Sequence, residues 1–134
     1  MVSPSSRADV YVDVEWFPAG IMVLIANANP SGEQRRRDHD SYALHSMTPE
    51  TEFSTHYFYC STRPFQQDDI ALSAELKPII ERAFIDEDKP MLEKQQESIG
   101  RADFWSLKPL LLPSDSAGIQ VRRKLDQLIA AEKN

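Results

Sequence analysis

The chain has 134 residues, 41% of them apolar, with 15 Lys and Arg against 21 Asp and Glu and a formal net charge of −6. That length fits a single domain, residues 1–134, with a modest core, and the acidic balance argues against nucleic acid as a partner, since phosphate contacts need a concentrated basic field. One cysteine, Cys60, leaves no internal disulfide and no cysteine-held zinc or iron–sulfur cluster, which suits a reducing, cytoplasmic setting; no stretch approaches the roughly 18 apolar residues of a membrane span, and Met1 to Ser6 lacks the pattern of a secretory leader.

From Arg7 to Pro18, Val10, Val12 and Val14 alternate with Tyr11, Asp13 and Glu15, the period-two pattern of a strand with one face inward, closed by proline. Ile21 to Ala28 is a nearly continuous apolar run of strand length, and Pro30-Ser31-Gly32 supplies a turn. Glu33 to Asp40, with Arg35-Arg36-Arg37, is too polar to bury and reads as a solvated loop. Ser41 to Met47 and the aromatic, β-branched run Phe53 to Thr62 read as two more strands joined by Thr48-Pro49-Glu50-Thr51, so four sequential strands predict an antiparallel meander.

Past Arg63-Pro64 the period changes. Asp68-Asp69 marks a helix start, and Leu72, Leu76, Ile79, Ile80, Ala83 and Phe84 recur at helical spacing. Pro78 and Pro90 lie within this long amphipathic helix, which predicts an early break or a late start near the first and a kink near the second. Phe104 to Pro113 reads as an irregular apolar strap. A last helix, capped by Ser114 or Asp115, sets Ile119, Val121, Leu125, Leu128 and Ile129 opposite Arg122, Arg123 and Lys124.

The chain carries no phosphate-cradling glycine loop, no nucleophile elbow and no histidine pair at i and i+4, so the common stand-alone enzyme motifs are missing. His39 falls in the polar loop. His45 and His56 fall on consecutive strands, where pairing could set them at similar heights; whether they share a face depends on register. In a pocket, such a histidine orients a polar substrate group or relays a proton. Asp86-Glu87-Asp88 sits late in the long helix, and three successive carboxylates cannot share one face.

Three linked segments carry a resemblance: Thr48-Pro-Glu-Thr-Glu-Phe-Ser-Thr-His-Tyr-Phe58, Glu87-Asp-Lys-Pro-Met-Leu-Glu-Lys-Gln-Gln96, and Leu112-Pro-Ser-Asp-Ser-Ala-Gly118 with the arginine-rich helix after it. Together they resemble the C-terminal catalytic-domain segment of vanillate O-demethylase oxygenase components, in the branch that includes dicamba monooxygenase. These are Rieske-type non-haem iron oxygenases. The resemblance implies an α+β fold in which an antiparallel sheet grips a long helix, a partial helix-grip or Bet v 1-like fold, plus a C-terminal helix.

It also implies a catalytic iron held by two histidines and a carboxylate, and by motif match that carboxylate is Asp88. The two iron histidines and the Rieske 2Fe-2S ligands have no counterpart here, because in the family they lie upstream of this segment. His45 matches a substrate-facing position, and Leu24 stands where the dicamba branch carries a substrate-binding asparagine. The implied reaction is oxidative O-demethylation of a vanillate-like methoxylated aromatic acid, incomplete in the isolated chain. Its implied partners are an aromatic small-molecule substrate, a reductase, an N-terminal oxygenase half and further copies in a homo-oligomer. The competing reading is a non-catalytic ligand-binding or interaction domain derived from such an oxygenase.

Overall fold

The computed structural model describes residues 7–133, so the N-terminal stretch read above for a leader lies outside the described residues. The chain forms two compact units, one up to Ile70 and one from Ala71 onward. The first is a four-stranded antiparallel sheet in the order β1-β2-β3-β4, with β1 Ala8–Phe17, β2 Ile21–Pro30, β3 Ser41–Pro49 and β4 Thr55–Thr62. The second is helical. The α+β class and the meander expected from period-two patterning are both present.

Tight turns set the register. Ala19 and Gly20 both adopt positive φ between β1 and β2, bringing Phe17 opposite Ile21, and the Gly20 carbonyl accepts from the Met47 amide of β3 at 2.9 Å. Between β3 and β4, Thr51 Oγ1 accepts from the amides of Phe53 and Ser54, folding the turn on its own side chain. Apolar burial is shallow. Among the described residues no apolar side chain is fully buried; Ile21 to Ala26 of the central strand β2 are half-buried, while Val10, Val12 and Val14 of the edge strand stay exposed.

The loop read as solvated is instead partly buried, because its charges pair rather than face water. Asp40 is 2% exposed and accepts from Arg35 Nε at 3.1 Å and Nη2 at 3.0 Å, and from Asn27 Nδ2 at 2.7 Å. Arg35 also reaches Asp13 and lies over the Tyr11 ring. A two-toothed guanidinium–carboxylate pair satisfies both groups, which is the condition for burying them. Asn27 donates a second bond to the Arg36 carbonyl, and Asn29 to that of Gln34, so the sheet replaces missing loop ladders.

In the helical unit, α1 spans Ile70–Arg82, a π-helical turn spans Ala83–Asp88, and α2 spans Lys89–Ile99. The break expected near Pro78 is absent: the proline sits inside α1, exposed, at the cost of a backbone donor. Near Pro90, the expected site of a kink, the hydrogen-bond ladder widens into a π turn. The π turn ends just before it, with the Lys89 amide bonded to the Phe84 carbonyl, and the wider turn accommodates a ring that has no amide to give. The strap folds as a 3-10 turn at Phe104–Leu107, an irregular run and a second 3-10 turn at Pro113–Asp115. In helix α3, Ser116–Glu132, Ile119, Val121, Leu125 and Leu128 of the expected apolar face are half-buried while Ile129 is exposed, and the Asp115 side chain does not cap the helix; its carboxylate accepts from the Leu112 amide at 2.8 Å.

Candidate functional site

Residues directly opposite in a sheet share a face, so the register decides which side chains meet. His45 lies opposite Met22 on β2 and Tyr59 on β4, and Leu24 lies opposite Ala43. His45 and Leu24 are therefore diagonal neighbours on one face, with Met47 and Tyr57 beside them. His56, opposite Thr48, falls on the other face. There it is exposed and pairs with Glu50 at 3.6 Å, so the two strand histidines do not form a pair.

His45 is 4% exposed, one of four buried polar side chains among the described residues. Its Nδ1 lies 2.5 Å from the Tyr57 hydroxyl, and the rings stack at 5.9 Å with 23° between planes. Tyr57 entered the sequence reading only as a strand former. Its partnership could be found only through register, since a diagonal contact across β3 and β4 requires the length of the Glu50–Ser54 turn.

Asp88, the implied iron ligand, closes the π turn and is exposed, as are Asp86 and Glu87; Glu87 pairs with Arg82 at 3.4 Å. Among the described residues no three His, Cys, Asp or Glu side chains converge as a metal site. One exposed carboxylate does not fit iron by itself, because a tight site needs several ligands and groups that orient them. Asp88 therefore forms no metal centre with the other described residues.

The other face of the sheet carries the electrostatics. Burial pushes the Asp40 carboxyl up, but hydrogen bonds from Arg35 and Asn27 outweigh it and hold the group below its ordinary value. The Gly32 amide and the Ser31 hydroxyl likewise lower Asp9, and Asp13 and Asp40 together raise Arg35. These charges pin the loop after β2 to the sheet and point away from His45. Their role is to hold shape.

Sequence comparison gives this arrangement a setting. An oxygenase component of a chloroacetanilide N-alkylformylase from Rhizorhabdus wittichii is 36% identical over 124 residues, 92% of this chain and 36% of that protein. The dicamba O-demethylase oxygenase component of Stenotrophomonas maltophilia is 32% identical over 95% of the chain and 38% of its own length, and a vanillate O-demethylase oxygenase subunit from a Pseudomonas species is 34% identical over 84% and 34%. The chain thus spans a little over a third of the relatives it matches. Residues 1–131 match the vanillate O-demethylase oxygenase C-terminal domain, and the chain belongs to that family.

Proposed function

We propose that this chain is the substrate-facing C-terminal segment of a Rieske-type non-haem iron oxygenase that demethylates a methoxylated aromatic acid of the vanillate kind. The observation that supports it is the placement of His45, buried and held by Tyr57 on the same sheet face as Leu24. The relatives' names cover several substrates, so membership alone does not choose one. A buried imidazole that can donate a hydrogen bond suits an anionic carboxylate or phenolic oxygen, while Leu24 offers apolar surface to a ring.

In this reading Asp88 contributes one carboxylate to an iron completed by ligands outside the segment, with electrons supplied by a reductase through a Rieske 2Fe-2S cluster. Iron supplies the oxygen chemistry; this segment orients the ring. Asp88 closes a π-helical turn, a rare distortion frequent at functional sites, which supports a site role beside the alternative of a solvated charge run. The partial helix-grip arrangement, the cytoplasmic setting, an N-terminal oxygenase half and assembly into a homo-oligomer belong to the same proposal.

The test compares carboxylates in the complete oxygenase. Asp88→Asn is expected to lose most bound iron and formaldehyde release from vanillate, whereas Asp86→Asn keeps both within about twofold, the spread of a neutral surface change. Wild-type iron content in Asp88→Asn would remove the ligand assignment. An iron-free complete protein that still binds aromatic acids would favour the non-catalytic reading.

A further inference from the structure

We propose that Tyr57 is a positioning residue that fixes the tautomer of His45, so that the imidazole presents a protonated Nε2 and selects substrates bearing an anionic oxygen. The substrate half of this inference rests on the reading under Proposed function; the tautomer half does not. The argument starts from the 2.5 Å contact between the Tyr57 hydroxyl and His45 Nδ1. A proton between them can sit on either atom. An unprotonated imidazole nitrogen is a far better acceptor than a phenol oxygen, and a phenol is a good donor, so O–H donates to Nδ1. A neutral imidazole with Nδ1 accepting carries its proton on Nε2, since each ring nitrogen's role is set by the bond the other makes.

The surroundings keep this choice in place. His45 is 4% exposed, so water competes little for Nδ1, and the near-parallel stacking with Tyr57 limits rotation of the ring plane. The backbone supports the geometry as well: Met47 lies opposite Tyr57 and His45 opposite Tyr59, so the tyrosine reaches the histidine along a diagonal fixed by the sheet register. The remaining buried polar side chains, Asn27, Asn29 and Asp40, belong to the loop network on the other face and do not bear on this pair.

The consequence is a directional preference. An Nε2–H donor favours a carboxylate or phenolate and offers nothing to a ring that has no acceptor at that position. Removing the tyrosine hydroxyl takes away the bond that holds Nδ1 as an acceptor, which weakens substrate positioning without removing any group that touches substrate.

Imidazole nitrogen NMR on the full 134-residue chain, labelled with 15N-histidine, reads the tautomer directly. The expected result is that His45 shows a protonated Nε2 and an unprotonated Nδ1, and that Tyr57→Phe moves both resonances toward the averaged values of a mixture. A wild-type His45 protonated on Nδ1, or shifts unchanged in Tyr57→Phe, overturns the inference; the wild-type spectrum decides it even if the variant folds poorly. In the complete oxygenase, Tyr57→Phe is expected to raise KM for vanillate by about tenfold, the loss of one charge-assisted hydrogen bond, with kcat little changed. For 1,2-dimethoxybenzene, which has neither a carboxylate nor a phenolic oxygen, KM is expected to stay put. An equal rise for both compounds overturns the selectivity. Failure of the wild-type complete enzyme to turn over either compound sinks the substrate reading under Proposed function and leaves the tautomer to the NMR result.

Discussion

At the scale of single residues, two positions carry more than their type suggests. Gly20 adopts φ +83°, and a Cβ there would run into the Met47 carbonyl whose strand the glycine's own carbonyl helps to hold. Gly20→Ala is therefore expected to destabilise the chain by about 1–3 kcal/mol, combining left-handed strain with a backbone clash, as read from urea denaturation followed by circular dichroism. Asp40 gives a pH-dependent counterpart. Its folded carboxyl titrates below the ordinary 3.8, so its stabilisation is complete above that value and is lost as pH falls through the still lower folded value. Asp40→Asn should flatten the acid end of a plot of urea midpoint against pH, whereas the exposed Asp38→Asn changes it much less. An unaltered acid limb in Asp40→Asn would show that the Arg35 pair does not stabilise the loop. Neither the burial of Arg35 nor that of Asp40 could be read from sequence, because a run of three arginines and two aspartates has the composition of a solvated loop; only the partners Asp13 and Asn27, on two different strands, make burial tolerable.

At the scale of elements, what could be read in advance was what periodicity encodes. The valine alternation of β1, the apolar run of β2 and the helical stripe from Leu72 to Phe84 have counterparts in the structure with ends shifted by a few residues. Register and helix phase were not encoded in that way. His45 and His56 have the same strand context, and only the turn at Glu50–Ser54 separates their faces; Asp88 closes a π turn that no wheel drawn at constant pitch contains. The two prolines then predict different outcomes. Pro78 lies inside α1 with no widened turn around it, so Pro78→Ala restores a helix donor and should raise stability by up to about 3 kcal/mol, measured as a higher thermal midpoint. Pro90 follows the π turn, and its replacement by alanine lets that turn tighten toward α geometry and re-phases Asp86 to Asp88. In the complete oxygenase Pro90→Ala is expected to lower iron occupancy while stability holds or rises. Equal iron in the two variants would detach the π turn from the carboxylate's role.

At the scale of the whole molecule, three short segments made family membership visible and the resemblance implied a partial helix-grip fold, whereas the amount of apolar surface left uncovered was not legible, because motifs report local matches. Among the described residues no apolar side chain is fully buried, and β1 and β4 are both sheet edges. β1 combines an open ladder of backbone donors and acceptors with Val10, Val12 and Val14, each more than half exposed, which is the combination that natural proteins avoid leaving in water. Pairing that edge with another strand satisfies the ladder and flanks the valines with its side chains, removing part of their surface from water at roughly 25 cal/mol per Å². A second copy is the strand always at hand in a purified sample, and two edges related by a twofold axis form a closed dimer. The isolated chain is therefore expected to sediment at micromolar concentration as a dimer or larger species and to bind a hydrophobic dye. Val12→Lys, which places a charge on the edge strand, should shift the distribution toward monomer. A single dye-negative species at 15.3 kDa for the unmodified chain would mean that the apolar surface of β1 is covered within one copy.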